Sequence, residues 1–454
     1  MVKINLKYAT GAEPIASASH AAKMCYQAEP PEWGSLMDVE TNLFRTGHHT
    51  TLQHFYLTFE IDGIAIGDIT FGLHLASPFY NSDQRSGRFC ARMFAEPDYD
   101  AIIGYVKTYW PKLSQSAMVE IAYYVRLAVG FYQAKLSQAT AKAIEFLKIE
   151  RPKASEKYFE QNGPKIAQEQ LRMVMPVLFP TGFVFTVNLS ALVAMYRAAW
   201  SPSMRAITTE MAKLTVARYP ELAFMFEPEK RRKIDWAPEY SDTGESIAAP
   251  RCELINFYAP RGIVPPEPEL LNPVDLLHFT PETMDNGVAS VVTRVELSTA
   301  TMGQDQRHRT IGRSSPKFTG RFYLPPILKA LNFEIEAEKT MSVWRGLRGS
   351  VPDTLHTILA PYGAMVSYVK RGSLNAVLHE QGKRLCWCAQ EEIYHLGIAL
   401  RAALIKTDDS SAKELAEHLE PPCYRSGICA EGKRYCGREM SVRFSGDYFS
   451  KRKV

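Results

Sequence analysis

Residues 301–322, TMGQDQRHRTIGRSSPKFTGRF, hold the densest set of side chains in the chain that could do chemistry. Arg307-His308-Arg309 opens the run and Thr319-Gly320-Arg321-Phe322 closes it. Arg313 and Lys317 lie between, among Ser, Thr and Gly that can donate to oxygen. Planar guanidinium forks and hydroxyl donors at this density suit a phosphate, or the diphosphate of a flavin nucleotide, better than a core. The alternative on composition is a solvated basic loop. A fainter copy stands earlier, at 71–89 (FGLHLASPFYNSDQRSGRF). His74 takes the place of His308, with Leu73 and Leu75 where the arginines stand, and Gly87-Arg88-Phe89 answers Gly320-Arg321-Phe322. The pair suggests an internal duplication in which one copy has changed its chemistry.

Two other clusters could hold ligands. Gly47-His48-His49-Thr50-Thr51-Leu52-Gln53-His54 places three of the 11 histidines together at the mouth of an expected strand. No Asp, Glu or Cys accompanies them, so a pocket for a planar cofactor competes with a metal site and with a solvated turn. Near the end of the sequence, Cys423, Cys429 and Cys436 are separated by glycine-containing segments. Three close cysteines point to zinc, with Cys386, Cys388 or His395 as a fourth ligand, although the spacing is not that of a zinc knuckle. Three thiols in a small packed tail are the other reading.

The elements that must carry these groups follow from pattern. Helices are predicted at 16–28, across 99–150 with a break at Pro111, at 191–200, at 204–218, from Val351 through Val369, and at 385–404. Strands are predicted at 50–61, continuing into 61–71, and at 287–300, where β-branched residues are dense. Residues 156–165 read as a polar turn and 250–277, with six prolines, as extended loop. The charged stretch 226–250 is the best linker.

A chain of 454 residues can bury two or three cores. With 46% hydrophobic and 22% charged residues it reads as an ordinary globular protein. A net charge of +4 does not call for a nucleic-acid polymer, and no apolar run is long enough to span a membrane. The start lacks the apolar core of a signal peptide, and eight cysteines in this length are no secreted framework, so the expected compartment is the cytoplasm.

Both halves resemble the flavin-dependent thymidylate synthase family. In the first, Gly47, His48, Thr50 and His54 stand in register with the family's Gly-His-x-Thr-Pro-x-x-His, with Thr51 for the proline. Leu73-His74-Leu75 falls where Arg-His-Arg belongs. Arg172, Pro176, Thr181 and Asn188 match later positions, while Ser190 replaces an arginine. In the second, Arg307-His308-Arg309 is intact, Gly312 replaces a serine, and Thr319-Gly320-Arg321-Phe322 stands for Ser-x-Arg-Tyr. Arg384, Ala389, Gln390, Glu392 and Ile393 fit, whereas Ser373, Asn375 and Tyr394 replace an asparagine and two arginines. The opening histidine motif is only dimly visible at His278-Phe279-Thr280-Pro281.

The resemblance, over roughly 15–220 and 270–405, implies an α+β fold. It implies two tandem domains of that family, with mostly antiparallel central sheets and long helices. The expected boundaries are 1–225 for the first, 226–265 for a linker, 266–405 for the second and 406–454 for a Cys-containing tail. It also implies FAD-dependent methylation of deoxyuridine monophosphate with methylenetetrahydrofolate and NADPH, or a related flavin-dependent pyrimidine nucleotide modification. The alternative is a catalytically inactive paralogue that binds flavin or nucleotide. Arg309, Arg321 and Arg384 would be the catalytic arginines. His48, His54, Arg307, His308, Asn188 and Gln390 would hold the cofactor. A homodimer would form a pseudo-tetramer, with sites shared between repeats and no polymer or membrane partner.

Overall fold

The computed structural model describes residues 1–11, 13–75, 80–87, 90, 92–241, 247–263, 281–429, 431–432, 435–438 and 452–454. The first half contains β1 (Lys3–Ala9), α1 (Pro14–Met24), β2 (Tyr56–Ala65), β3 (Tyr80–Gln84), α2 (Tyr99–Tyr109), α3 (Gln115–Glu150), α4 (Glu156–Leu171), β4 (Pro180–Asn188), α5 (Leu189–Ala198) and α6 (Pro202–Arg218). Its sheet runs β1-β2-β4-β3 and all neighbours are antiparallel. β2 alternates Leu57, Phe59 and Ile61 toward one face, where Phe185 and Val187 of β4 join them under Leu192, Met195 and Met211 of α5 and α6.

The second half contains β5 (Glu239–Tyr240), β6 (Arg251–Tyr258), β7 (Ser290–Ser298), α7 (Thr299–Asp305), β8 (Gly312–Arg313), β9 (Lys317–Phe322), α8 (Glu334–Gly346), β10 (Ala364–Gly372), α9 (Leu374–Arg384), α10 (Glu391–Ile405) and α11 (Ser410–His418). Its sheet runs β5-β9-β10-β7-β6, with β8 also on β10. Read from the other edge, β6-β7-β10-β9 is the same order as β1-β2-β4-β3. The loop ends match as well. Asn188 caps α5 by accepting from Ala191 N–H at 2.8 Å, and Ser373 caps α9 by accepting from Ala376 N–H at 3.2 Å.

The halves share a core. α3 is 36 residues long and starts at the Ser114 cap, whose side chain accepts from Ala117 N–H. Ala117, Ile121, Tyr124, Val125 and Ala128 repeat at three- and four-residue spacing and bury one stripe. That stripe lies in one cluster with Leu297, Phe318, Trp344 and Val366 of the second half. A seam of backbone bonds reinforces the contact. Pro176 and Pro361 form an isolated antiparallel bridge. Val177 N–H donates to Ala360 O and Tyr362 N–H to Met175 O, both at 2.8 Å, so the residue after each proline bonds to the residue before the other.

Several expectations are corrected. Residues 156–165 belong to helix α4, with Pro164 inside it. Ser155 caps it, and Gly163 lets it approach α3 so closely that an added Cβ would lie 2.5 Å from Ile144 Cγ1. The helix expected from Val351 through Val369 is a short helix at Asp353–Ile358 followed by strand β10. The run 385–404 begins as a turn and becomes helical only at Glu391. Of the loop expected at 250–277, the part at Arg251–Tyr258 is an edge strand, and 264–277 lies outside the described residues. Segment 226–250 is not a free connector: Arg232 N–H donates to Arg197 O, Trp236 N–H to Trp200 O, and β5 pairs with β9. Among the described residues no helix is long and apolar enough to cross a membrane.

A group of buried acids lies where the halves meet. Glu169 of α4 and Glu391 and Glu392 at the start of α10 are all buried. Glu392 accepts from Ser298 N–H at 2.6 Å and from the Ser298 and Thr301 hydroxyls; Glu391 accepts from Tyr323 Oη–H at 3.0 Å. Burial, then the neighbouring Glu169 and Glu392, pushes Glu391 up to about 8. Its folded pKa exceeds the unfolded value, so its neutral form stabilises the fold at low pH and that contribution is lost as pH rises toward 8. Glu391→Gln stays neutral throughout. In urea titrations the variant should therefore gain stability relative to the unsubstituted chain between about pH 4.5 and about pH 8. A constant difference across that range would show that Glu391 is already ionised in the fold.

Candidate functional site

A cavity of about 600 Å³ opens between the turn at His49–His54 and helix α5. That size is ordinary for a small-molecule site. Phe44, Leu52, Val193, Met195, Trp200 and Met204 form apolar walls. His49, Arg197, Lys230 and Arg232 supply the polar rim, and among the described residues no Asp or Glu lines the space. The local structure fixes this set. Ser190 Oγ–H donates to His49 O at 3.1 Å, tying the histidine turn to the first turn of α5. The His49 ring stacks on Phe44 at 5.5 Å, and the Arg197 guanidinium sits 5.1 Å above the other partner of that stack, Phe44. Arg197 Nε is buried with no hydrogen-bond partner. An unsatisfied guanidinium nitrogen beside an apolar slot is a place for an anionic group attached to a ring.

The Arg-His-Arg loop lies elsewhere, docked on β3 of the first half. Arg309 donates from Nη1 to Asn81 Oδ1 at 3.0 Å and from Nη2 to Ser82 Oγ at 3.3 Å, with its guanidinium 4.6 Å over the Tyr80 ring. Arg307 donates to Ser82 O at 3.4 Å, and Gln306 Nε2 to Thr70 O at 2.9 Å. His74 meets it there: its ring stacks on Tyr80 at 5.3 Å and shares Ser82 Oγ at 3.0 Å. Burial, with Arg307 and Arg309 adding to it, holds His74 neutral by lowering its pKa to about 3.

Behind the loop, His308 is 6% exposed and packs edge-on against His379 at 5.2 Å. Both its ring nitrogens are buried without a partner, and burial followed by the Arg384 charge pushes it down to about 2. Arg384 Nη2 donates to Gln304 O at 2.6 Å, and Gln304 also bonds Gln390. Asp305 anchors the whole group. It accepts from Lys370 Nζ at 2.6 Å, from Tyr368 Oη at 2.8 Å and from Arg313 Nε at 2.5 Å, while Lys370 also reaches Glu380 at 2.6 Å. The cations beside Asp305 outweigh its burial and hold its carboxyl well below the usual range, whereas burial raises Glu380.

The structure thus brings Arg307, His308, Arg384 and Gln390 together, with Arg309 at their edge. It does not bring them to the cavity. His48 and His54 are exposed at the two ends of the histidine turn, and His49, not singled out by the motif, is the one that lines the space. Asn188 uses its side chain as a helix cap. Arg321 is paired with Glu296, Nε to Oε1 at 2.6 Å. Arg197, Lys230 and Arg232 escaped sequence reasoning because they are single cations in ordinary helical or charged context; their common position appears only when 226–250 folds back. Arg88, Phe89 and residues 278–280 lie outside the described residues.

The described residues show no metal site at the cysteines expected to hold zinc. Among the described residues no three His, Cys, Asp or Glu side chains gather in a way that could hold a metal ion. Cys423 Sγ instead accepts from Arg438 Nη2 at 3.1 Å, and Cys436 is buried. A guanidinium among the thiols repels a second cation.

Residues 6–221 match the profile of a family described as thymidylate synthase complementing protein. About half of the chain is therefore a domain similar to flavin-dependent thymidylate synthases, an α/β unit of antiparallel sheet and helices. Among solved structures, the chain is similar to flavin-dependent thymidylate synthase ThyX from Helicobacter pylori complexed with FAD and dUMP. The identity is 19% and the TM-score 0.32, over 51% of this chain and 100% of that one. A second structure of the Helicobacter pylori enzyme with FAD and dUMP gives 19% identity and a TM-score of 0.28 over the same shares. No curated protein matches.

Proposed function

We propose that this protein binds a flavin and a pyrimidine nucleotide and carries out a flavin-dependent nucleotide modification. Methylation of deoxyuridine monophosphate with methylenetetrahydrofolate and NADPH is the first candidate. The observation that carries the reading is the cavity beside His49, with apolar walls and Arg197 from the family-matched region and Lys230 and Arg232 from just beyond it. Phe44, Trp200 and Val193 would hold a ring, and Arg197, Lys230 and Arg232 would take phosphate charge. Bound FAD would supply hydride transfer. The chain's own part is to exclude water from the ring and to fix the phosphates.

The common strand order, the matching caps and the reciprocal bonds at Pro176 and Pro361 support a fused pair of repeats, 1–225 and 266–405, joined through 226–265. Two such chains would then build a pseudo-tetramer. In it, Arg307 and Arg309 of one chain would complete the His48, His49 and His54 side of another, with NADPH and the folate entering from solvent. A second reading, a flavin- or nucleotide-binding paralogue without catalysis, draws on the replaced and engaged groups: Ser190 for an arginine, Arg321 on Glu296 and Asn188 in its cap.

Protein purified without added cofactor should be yellow or take up FAD at one equivalent per cavity. Tritium release from C5-labelled deoxyuridine monophosphate, with NADPH and methylenetetrahydrofolate, then separates the readings. Release supports methylation. FAD uptake without release favours the binding paralogue, and no flavin binding by calorimetry removes both.

A further inference from the structure

Residues 452–454 lie in a crevice between the two halves. One wall is the end of α3 with helix α4; the other is the turn after α9 with helix α10. On the first wall, Glu150 accepts from Lys453 N–H at 2.6 Å and from Val454 N–H at 3.3 Å. Gln170 Nε2 donates to Lys453 O, and Arg151 Nη2 to Val454 O, both at 2.8 Å. On the second wall, His395 Nε2 donates to Arg452 O at 2.7 Å. Arg452 Nη2 donates to Trp387 O at 3.0 Å and to Ala389 O at 2.5 Å, and its Nε to Val454 O at 2.9 Å. The Arg452 guanidinium lies 4.7 Å over the Tyr394 ring, and Lys453 Nζ lies 4.4 Å over the Phe146 ring. Arg452 and Val454 are buried.

The backbone of Lys453 and Val454 is thus held by wall side chains, not by a helix or sheet ladder. That is how a bound peptide is held: backbone bonds supply affinity, and a side-chain pocket supplies selectivity. The pocket here takes Arg452, whose planar fork joins two carbonyls of the turn to the segment's own carbonyl. A lysine ammonium has no such fork. The flavin reading uses none of Glu150, Gln170, His395 and Arg452. The turn that Arg452 clamps leads directly to Gln390. Gln390 bonds Gln304, and Gln304 O accepts from Arg384, just ahead of the Arg-His-Arg loop.

We propose that the crevice is a recognition groove for a basic peptide of the Arg-x-Val type, filled by residues 452–454 as a releasable strap whose seating sets the Arg-His-Arg loop. With the strap seated, Trp387 O and Ala389 O are fixed and Gln390 and Arg384 hold Gln304 between them. With it released, the turn loses both clamps and the hold on Gln304 loosens.

The test uses the full chain, its Arg452→Ala variant, and an amidated peptide of residues 451–454 with a fluorophore at its amino end. The peptide should bind the variant at least about tenfold more tightly than the unsubstituted chain, where the tethered segment competes. A control peptide with alanine in place of the arginine should bind neither. Amide exchange across 304–309 and 385–397 should be about tenfold faster in the variant, and the arginine peptide should restore most of the protection. Equal binding of the two peptides, or a folded variant that binds neither, would overturn the groove. Peptide binding with no change at 304–309 would overturn the link to the loop. If the variant does not fold, the unsubstituted chain carries the test. Excess arginine peptide should speed exchange of the Lys453 and Val454 amides by capturing the groove whenever the strap leaves. Exchange there that occurs only with unfolding of the whole chain, unmoved by either peptide, would overturn the proposal.

Discussion

Lys370→Met should lower the unfolding free energy by about 3–5 kcal/mol, the range for removing one partner from a buried ion pair. Lys370 is 8% exposed and its ammonium reaches both Asp305 and Glu380 at 2.6 Å. Without it Asp305 keeps Arg313 and Tyr368, but Glu380 loses the cation that it touches. Methionine matches the length of the lysine stem, so packing is largely retained and the loss reads the charge. Glu380→Gln added to Lys370→Met should recover part of it, since the stranded carboxylate is then gone. Urea midpoints of the three variants check this, and a loss below about 1 kcal/mol for Lys370→Met would mean that the network carries no net stabilisation.

Ala194→Trp should weaken FAD uptake by about a hundredfold or more, roughly 3 kcal/mol, while leaving the urea midpoint within about 0.5 kcal/mol. Ala194 is exposed on α5 yet lines the cavity, so an indole there grows into the empty space rather than into the core. The walls at Phe44, Val193 and Met195 would then be covered by protein and the ring excluded. FAD binding with unchanged affinity would place the flavin elsewhere, with the Arg-His-Arg surface the next position to probe. The experiment separates location from chemistry because it needs no turnover.

Much of the fold was legible where local pattern and tertiary demand agree. Val291, Val292, Thr293 and Val295 favour a strand and occupy one, β7. Agreement fails where a neighbour decides. Asn162, Gly163 and Pro164 look like turn punctuation, but Gly163 is there to admit Ile144 of the adjacent helix, and no local rule contains that neighbour. After Asp353–Ile358, only Pro361 and Gly363 warn that the chain changes to a strand, and apolar periodicity over so short a run fits both forms. The Arg-His-Arg stretch stood out in the sequence because its composition is extreme. The Asp305, Lys370 and Glu380 network was not, because its members are ordinary residues far apart in the sequence. The cavity was half visible: the histidine turn announced itself, while Arg197, Lys230 and Arg232 became a set only through the return of 226–250 across α5.

The crossed bonds at Pro176 and Pro361 also bear on how the chain reaches its native state. Val177 and Tyr362 can find their acceptors only after both strands' approaches have formed, and those approaches are separated by most of the second sheet's sequence. Closing so long a loop is entropically costly, so this join belongs late in folding. A ribosome delivers the first partner long before the second. The earlier part of the chain must therefore wait with its apolar stripe on α3 uncovered, the interval in which a chaperone would find it and in which aggregation would compete.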